Sequence, residues 1–421
     1  MGIILKKNEL RHTRTQIVQT SIYSVAMGIG LEYLNLGLNL TPFTALLKFI
    51  GGLGIMYYAF TWSRFDVIFK NLDLHVGLAY PIIKGKKKTE YSTIYKFTLP
   101  AGLSLKDFED KKEAIEQHLG REIDIKYTYR EIQIEVFKEN KKTHYDYEPV
   151  KIHGDVPVII GYDKRGNLIT CDLASDEPHM LIAGETGSGK STILRDIITN
   201  FILMSKVKLH LIDLKMGAEF NIFAKSDKVI SFSRTIYEAK NTLYQITKEI
   251  ERRYDLFFRH DVKDIKDYNK KFKSNKLSYE VLIIDEFAEL QYDKESMEAL
   301  DMLGRMARAC GIHMILATQR PDHKVLTGNI KVNVGTVLGL KTLNEINSKI
   351  IIDDNGLEKL RGRGHGLFKR GGDIIEIQAP YLPTEKTIEL IKHTYVDKPK
   401  LHIIDNGDLS DDDLNNIVSN W

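Results

Sequence analysis

A glycine-rich segment, GETGSGKS at residues 184–191, constrains this chain more than any other feature of its 421 residues. It matches the spacing G-x-x-x-x-G-K-[ST], in which glycines let backbone N–H groups close around phosphate oxygens. The apolar run HMLIAG leads into it and STILRDIITNFIL follows it, which predicts a strand before the loop and a helix after it. The positive end of that helix would face the phosphates. The segment therefore predicts a nucleotide-binding α/β domain.

The residue types in this loop suit ATP bound with Mg²⁺. We expect Lys190 to neutralise the β and γ phosphates and Ser191 to bind the magnesium ion. The residues predicted to bind the nucleotide are Gly184, Glu185, Thr186, Gly187, Ser188, Gly189, Lys190, Ser191, Thr192 and Asp285.

A second segment, VLIIDE at residues 281–286, consists of four apolar residues followed by two carboxylates. Such a run is typical of a buried strand that delivers acidic side chains to a metal at the carboxyl edge of a sheet. We expect Asp285 to hold the magnesium and Glu286 to polarise the attacking water. The pattern is weak alone, but downstream of the glycine-rich loop it predicts ATP hydrolysis.

The segment GIHMILATQRP at residues 311–321 predicts another buried strand that ends in polar residues. If this strand neighbours the acidic one, Gln319 lies close enough to sense the γ phosphate; the alternative is a simple turn that ends the strand. The basic residues nearest this edge are Arg305, Arg308 and Arg320, any of which could reach a neighbouring subunit's nucleotide as an arginine finger.

Strand and helix patterns alternate from Pro157 onward, which predicts a mostly parallel sheet covered on both faces. Upstream, residues 91–137 read as strand, helix, strand, strand, a small α/β module. The run KGKKK at residues 84–88 reads as a solvated linker, or as a basic cluster that touches anionic lipid.

The first sixty residues contain two apolar stretches, 17–31 and 43–60, separated by polar residues. They predict a membrane hairpin with helices at about 17–38 and 43–62. Lys and Arg flank the pair and are absent between the stretches, so both termini and the nucleotide-binding domain should be cytoplasmic in a two-pass protein of the cell membrane. The alternatives are two buried core helices or a cleaved signal peptide.

The predicted domains are therefore a membrane hairpin at 1–70, a linker and small α/β domain at 71–150, an ATPase domain at 151–395 and an acidic tail at 396–421. The tail reads as a solvated segment, or as one that docks a basic partner. Because the net charge is only +3, any nucleic-acid-binding surface must be local. The only cysteines, Cys171 and Cys310, have no metal-ligand spacing, which favours a reducing compartment.

Several motifs together make the chain resemble the FtsK/SpoIIIE family of DNA translocases over residues 157–390. They are HMLIAGETGSGKS, LIDLK, EIERRYDLF, VLIIDEFAEL, ARACGIHMILATQRPD, LTGNIKVNV and LEKLRGRGHGLF, and they occur in the family's order. The resemblance implies a RecA-like motor domain that assembles as a homo-hexamer, with ATP between subunits and DNA in a central channel. His365 stands where the family usually has Asp.

Two departures narrow the expected function. Only 38 residues follow Pro383, too few for the winged-helix domain of chromosome-partitioning members, and two membrane spans replace four. These features most resemble conjugative coupling proteins of Gram-positive elements, the TcpA and ConQ type. That resemblance implies the cell membrane, a relaxase complex and a conjugative secretion channel as partners. The alternatives are a DNA-segregation motor, a type VII-like protein-secretion ATPase and a non-translocating scaffold.

The resemblance also implies DNA contacts on the loops that face the channel. It points to Thr327, Lys331 and Lys349, which would bind phosphates without reading bases; the alternative is that these side chains are merely solvated. A second candidate for DNA or for a subunit contact is the basic loop that contains Lys359, Arg361, Arg363, Lys369 and Arg370.

Overall fold

The computed structural model describes residues 21–29, 44–53, 64–77, 79–129, 131–138, 143–175, 177–322 and 328–397. The chain divides into two compact units, residues 1–141 and 142–421.

Large parts of the expected membrane spans, the acidic tail and Thr327 lie outside the described residues. Residues 21–29 and 44–53 are helical. Within the described ranges, no helix combines the length and the apolar character needed to span a bilayer.

The first unit contains an antiparallel sheet with strand order β1-β2-β4-β3. Its elements are α1 (Arg64–Asn71), β1 (Ile83–Lys88), β2 (Ser92–Thr98), α2 (Leu105–Glu109), α3 (Lys112–Leu119), β3 (Ile123–Thr128) and β4 (Glu131–Phe137). Aromatic rings fill its core, where Phe69 makes edge contacts with Phe97 and Phe108. Helix α1 supplies Phe69, so the small module includes residues that we expected in the membrane region.

The lysine-rich segment expected as a linker is strand β1. It pairs antiparallel with β2, with Lys86 opposite Tyr95 and Lys88 opposite Thr93. The linker interpretation was wrong because a run of lysines has no apolar alternation. Lysines are nevertheless suited to an edge strand, where their charge discourages pairing with another chain.

The second unit is built on one large sheet. Its strands are β5 (Pro157–Asp163), β6 (Leu168–Asp172), β7 (His179–Ala183), β8 (Lys208–Ile212), β9 (Val229–Ser233), β10 (Glu280–Ile284), β11 (Ile312–Thr318), β12 (Thr336–Leu340), β13 (His365–Arg370) and β14 (Asp373–Gln378). Its helices are α4 (Lys190–Met204), α5 (Ile236–Arg259), α6 (Ile265–Lys271), α7 (Lys294–Cys310), α8 (Gly328–Asn333), α9 (Glu345–Ile352) and α10 (Thr384–Ile391).

The described strands of this sheet follow the order β6-β5-β14-β13-β12-β7-β11-β10-β8-β9. Strands β12 to β9 in that order are parallel, and the remaining four join by antiparallel pairing. Every residue of β7 and β10 is buried, which explains their continuous apolar runs. The predicted mostly parallel sheet is confirmed.

Two apolar cores cover the two faces of the large sheet. One packs Leu243 and Ile250 of α5 with Leu303 of α7. The other packs Ile197 and Phe201 of α4 with buried strand residues. Because α4 follows β7 directly, this packing fixes the helix that leaves the glycine-rich loop.

Helix α4 carries one buried carboxyl group, that of Asp196, which is 2% exposed. Neither of its carboxylate oxygens has a hydrogen-bond partner among the described residues. Burial raises the pKa of Asp196 well above its ordinary value, and the charge of Arg195 offsets this only in part.

We expect Asp196→Asn to raise the free energy of unfolding at neutral pH by about 1–3 kcal/mol, because it removes a buried ionisable group. Since the folded pKa lies above the unfolded value, the cost of ionising the wild-type carboxyl is absent below about pH 4 and grows as the pH rises toward the folded pKa. Thermal unfolding at pH 4.5 and 7.5 should therefore show a larger gain at pH 7.5. Exposed Asp255→Asn is the control, and a gain independent of pH would contradict this account.

Candidate nucleotide site

The glycine-rich loop lies at the carboxyl edge of the large sheet, between β7 and α4. Its first two residues are hydrogen-bonded to the ends of the strands on either side of β7: the Gly184 N–H donates to the Thr318 carbonyl at 3.2 Å, and the Glu185 N–H donates to the Lys341 carbonyl, just beyond β12, at 2.9 Å. Strands β11 and β10 follow β7 in the sheet. The loop therefore lies beside the ends of the two strands that carry Gln319 and the Asp285–Glu286 pair.

Lys190 and Asp285 form the buried centre of this site, at 3% and 0% exposure. The Lys190 ammonium donates to the Asp285 carbonyl at 2.6 Å and also to the Asp285 carboxylate Oδ1. The other oxygen, Oδ2, has no hydrogen-bond partner among the described residues, and neither does the buried hydroxyl of Ser188. A buried carboxylate oxygen costs free energy unless something binds it.

These residues fit ATP with Mg²⁺. Ser191 lies in the first turn of α4, directly after Lys190, and backbone N–H groups at the amino end of a helix favour phosphate. Magnesium usually takes one or two protein oxygens and completes its shell with water and phosphate oxygens. The Ser191 hydroxyl and Asp285 Oδ2 are oxygens of that kind, so the predicted nucleotide and metal ligands can act together.

Glu286 is held in a fixed position at 3% exposure. Its Oε1 accepts a hydrogen bond from the Thr318 hydroxyl at 2.6 Å. Both carboxylate oxygens also accept from the Gln319 backbone N–H, at 3.1 and 3.0 Å. A carboxylate fixed in this way suits the orientation of a water molecule beside the γ phosphate.

Gln319 lies against the glycine-rich loop, since its Oε1 accepts from the Thr186 hydroxyl at 2.9 Å. The structure thus brings together the loop, Asp285, Glu286 and Gln319, as their strand positions predicted. The roles assigned to them stay predictions.

Lys215 is a site residue that the sequence reading missed. Its ammonium lies 3.6 Å from Asp285 Oδ2 and 3.9 Å from Glu286 Oε2. Asp213 fixes the loop that carries it, because Asp213 accepts from the backbone N–H groups of Lys215, Glu219 and Phe220. In the sequence, Lys215 is recognisable only as a lysine just beyond β8. That it lies at the site follows from the pairing of β8 with β10, which the sequence does not state.

Residues 361–364, which we call the clamp segment, also pack on the glycine-rich loop. The Gly364 N–H donates to the Ser188 carbonyl at 2.7 Å, and the Arg363 N–H donates to the Gly187 carbonyl at 3.4 Å. Arg363 has a positive φ of 55°. Part of the basic loop expected to contact DNA or a subunit therefore contacts this chain's own nucleotide loop.

His365 holds the clamp segment in place. Its Nδ1 accepts from the Arg361 N–H at 3.2 Å, so its Nε2 carries the proton and donates to Glu376 Oε1 at 2.9 Å. Lys164 pairs with the other oxygen of Glu376 at 2.8 Å. His365 thus has a structural partner on β14.

The candidate arginine fingers lie at two edges of the sheet. Arg320 follows β11 at the carboxyl edge, where its guanidinium lies 3.7 Å from Glu289 Oε1. Arg305 and Arg308 lie in the last turns of α7, just before β11 begins, and therefore at the opposite edge. Contact with a neighbouring subunit's nucleotide stays a prediction for all three.

Of the candidate DNA contacts, Lys331 already forms an ion pair within this chain. Lys331 pairs with Asp353 Oδ1 at 2.8 Å, and Lys369 pairs with the other oxygen of the same carboxylate at 2.8 Å. Lys349 is exposed on α9. A DNA phosphate that binds Lys331 would compete with Asp353 for the same ammonium group.

We expect Thr318→Val to lower the turnover of ATP by about tenfold without changing the affinity for ATP, because Glu286 loses the hydroxyl that orients it while the nucleotide-binding loop is untouched. Thr318→Ser keeps the hydroxyl and should retain most of the turnover. Steady-state ATPase assays give both parameters. A Thr318→Val variant that turns over ATP like the wild type would show that Glu286 needs no such support.

Comparison with known sequences finds related proteins. Residues 139–323 match the FtsK/SpoIIIE family. The DNA translocase FtsK of Caldanaerobacter subterraneus subsp. tengcongensis is 36% identical over 252 residues, covering 57% of this chain and 35% of that protein. The DNA translocase FtsK of Staphylococcus aureus strain Mu50 is 38% identical over 251 residues, covering 56% and 32%. The chain therefore spans about a third of the length of these relatives.

Solved structures extend the likeness. The pCW3 conjugation coupling protein TcpA, in a monomer form with ATPγS, is 25% identical with a TM-score of 0.57, covering 78% of this chain and 98% of that one. The cytoplasmic domain of the Thermomonospora curvata type VII secretion ATPase EccC is 23% identical with a TM-score of 0.52, covering 63% and 34%, and it shares the fold. The likeness to the FtsK/SpoIIIE family therefore lies in the nucleotide domain of this chain.

Proposed function

We propose that this chain is a membrane-anchored, hexameric ATPase that moves DNA toward a secretion channel during conjugation. The observation that carries this proposal is the likeness to the coupling protein TcpA, which extends over 98% of that chain and 78% of this one. It is broader than the 139–323 family match. The likeness to the type VII secretion ATPase covers only 34% of that chain.

The nucleotide site supports an ATP-hydrolysing role. Lys190, Ser191 and Asp285 would hold ATP with Mg²⁺, which supplies charge neutralisation at the phosphates. Glu286 would accept a proton from the attacking water, and its contacts with Thr318 and Gln319 hold it in that position. Gln319, which also contacts Thr186, would sense the γ phosphate.

DNA is the proposed cargo because the relatives that match at 36% and 38% identity are DNA translocases. A DNA motor gains from a grip that is indifferent to sequence, and such a grip weakens with salt. A protein-secretion ATPase of the same fold would show no dependence on DNA.

The test is ATP hydrolysis by the full chain in detergent or nanodiscs, with no DNA, single-stranded DNA or duplex DNA. We expect stimulation at low salt, together with displacement of a DNA-bound third strand by the translocating form. Lys190→Ala is the control that should lose both activities. Hydrolysis that no DNA changes, at any salt, would overturn a DNA motor in favour of a protein-transport or scaffold role.

Membrane anchoring and conjugation need a separate test. In a conjugating host, Lys190→Ala and Glu286→Gln should each abolish transfer while the protein stays in the membrane fraction. Transfer by either variant would refute the motor role, and recovery of the wild-type chain in the soluble fraction would refute the anchor.

A further inference from the structure

A basic cleft lies in the second unit at the amino edge of the large sheet, opposite the glycine-rich loop. Its volume is about 780 Å³, and the segments 151–157, 204–207, 266–270 and 276–279 line it. The turn between α4 and β8 forms one wall, and the residues just before β10 form another, with the Lys208 N–H bonded to the Tyr279 carbonyl at 2.9 Å. The cleft is thus a different site from the nucleotide site.

Five exposed lysines from four separate segments line this cleft. They are Lys151, Lys206, Lys266, Lys270 and Lys276. One carboxylate, that of Asp155, lies among them, and its Oδ2 accepts from the Tyr279 hydroxyl at 3.1 Å. The average charge of the chain, +3, does not reveal this surface, because its lysines are far apart in sequence.

No lysine of this cleft forms an ion pair within the part of the chain that the structure describes. Elsewhere lysines do find carboxylates, as Lys240 does with Asp293 at 2.7 Å. Lys266 and Lys270 even stand four residues apart on α6, a spacing at which like charges repel. Five clustered lysines that outnumber the one carboxylate in the cleft lining favour an external anion with several charges.

We propose that this cleft binds the phosphate backbone of a nucleic acid outside the central channel. The inference rests on the proposed function, since it takes DNA as the ligand. Lysines are flexible point charges, suited to contacts with phosphates that ignore base sequence. Such a contact would hold DNA at the amino edge of the sheet while the nucleotide site at the carboxyl edge hydrolyses ATP.

The test compares two triple variants that remove the same charge. Lys206→Gln/Lys266→Gln/Lys270→Gln neutralises the cleft, whereas Lys106→Gln/Lys248→Gln/Lys294→Gln neutralises exposed lysines elsewhere. Fluorescence anisotropy with a labelled duplex, without nucleotide and over a series of KCl concentrations, gives the affinity and its salt dependence. The DNA-independent ATPase rate and the melting temperature verify that both variants are folded.

We expect the cleft variant to bind DNA at least about tenfold more weakly at 0.1 M salt than the control variant, which should resemble the wild type. The slope of log K against log salt should fall in magnitude by about 2–3, since each lost duplex-phosphate contact contributes about 0.9. The DNA-independent ATPase rate should be unchanged.

Other results would overturn the inference in distinguishable ways. If the wild type binds DNA and both variants bind equally well, the cleft inference fails and the proposed function stands. A labelled acidic peptide with the sequence of residues 405–413 is tested in the same way. If the cleft variant still binds DNA but no longer binds this peptide, the cleft binds an acidic protein segment instead. If the wild type binds no DNA at all, the proposed function fails as well.

Discussion

Replacing Glu286 with Gln is expected to lower the turnover of ATP by about 10²–10⁴-fold, the contribution typical of a general base. The amide has the same shape, and its oxygen can still accept from the Thr318 hydroxyl, which lies 2.6 Å from Oε1 in the wild type. It cannot accept a proton from water. Affinity for ATP should change little, because Lys190 and Asp285 are intact. Steady-state hydrolysis and equilibrium binding of a fluorescent ATP analogue separate the two effects.

Two further variants make this expectation specific. Glu289→Gln removes a carboxylate only three residues away that is exposed and lies 3.7 Å from Arg320, so it should leave turnover unchanged. Lys190→Ala should instead weaken ATP binding itself, because the lysine is the buried cation of the loop. If Glu286→Gln turned over ATP at the wild-type rate, another group would have to activate the water.

The central residues of the site could be predicted from sequence because each follows an apolar strand directly. The loop at 184–191, the Asp285–Glu286 pair and Gln319 all stand at strand ends, and carboxyl ends of parallel strands share one edge. The same rule does not predict the contacts that Thr318 and Lys215 make with the two carboxylates. Their roles depend on which strands are neighbours, and no local pattern states that order.

The clamp segment could not be predicted for a similar reason. It begins 170 residues beyond the end of the glycine-rich loop (361 against 191) and reaches it only because β13 pairs with β12, which pairs with β7. From sequence, its arginines looked like a basic surface. The prediction for edge strand β1 failed for another reason. Its lysines have low strand propensity, and the pairing with β2 overrides that propensity.

The placement of Arg305 and Arg308 shows a further limit. They stand close to Gln319 in sequence, but β11 runs the whole depth of the sheet between them. Residues before and after a strand lie at opposite edges, so sequence proximity misleads across a strand. A role in ATP hydrolysis for these two would require the edge to meet a neighbouring subunit.

The packing of the clamp segment on the glycine-rich loop makes Gly189 irreplaceable in this fold. Gly189 has a φ of 108°, a conformation that side chains disfavour. A Cβ at this position would also collide with the Gly364 backbone nitrogen, and would come within 2.8 Å of the Gly364 Cα and 3.1 Å of the Arg363 carbonyl carbon. These are backbone atoms, so they cannot rotate out of the way.

Gly189→Ala is therefore expected to separate the clamp segment from the loop, breaking the 2.7 Å bond between the Gly364 N–H and the Ser188 carbonyl. We expect a loss of about 2–4 kcal/mol in the free energy of unfolding. ATP affinity should fall at least about 100-fold, since the displaced backbone N–H groups would no longer converge on the phosphates. Thermal unfolding and ATP binding measure the two effects.

Gly371→Ala is the matched control. Gly371 has a φ of 58° but open space where a Cβ would lie, in the turn between β13 and β14. It should cost only about 1 kcal/mol, the strain of the backbone conformation itself, and leave ATP affinity unchanged. If both variants bound ATP like the wild type, the contact between the clamp segment and the loop would have no part in nucleotide binding. If only Gly189→Ala lost binding, a positive φ by itself would not account for the loss, in agreement with a role for the contact between the clamp segment and the loop.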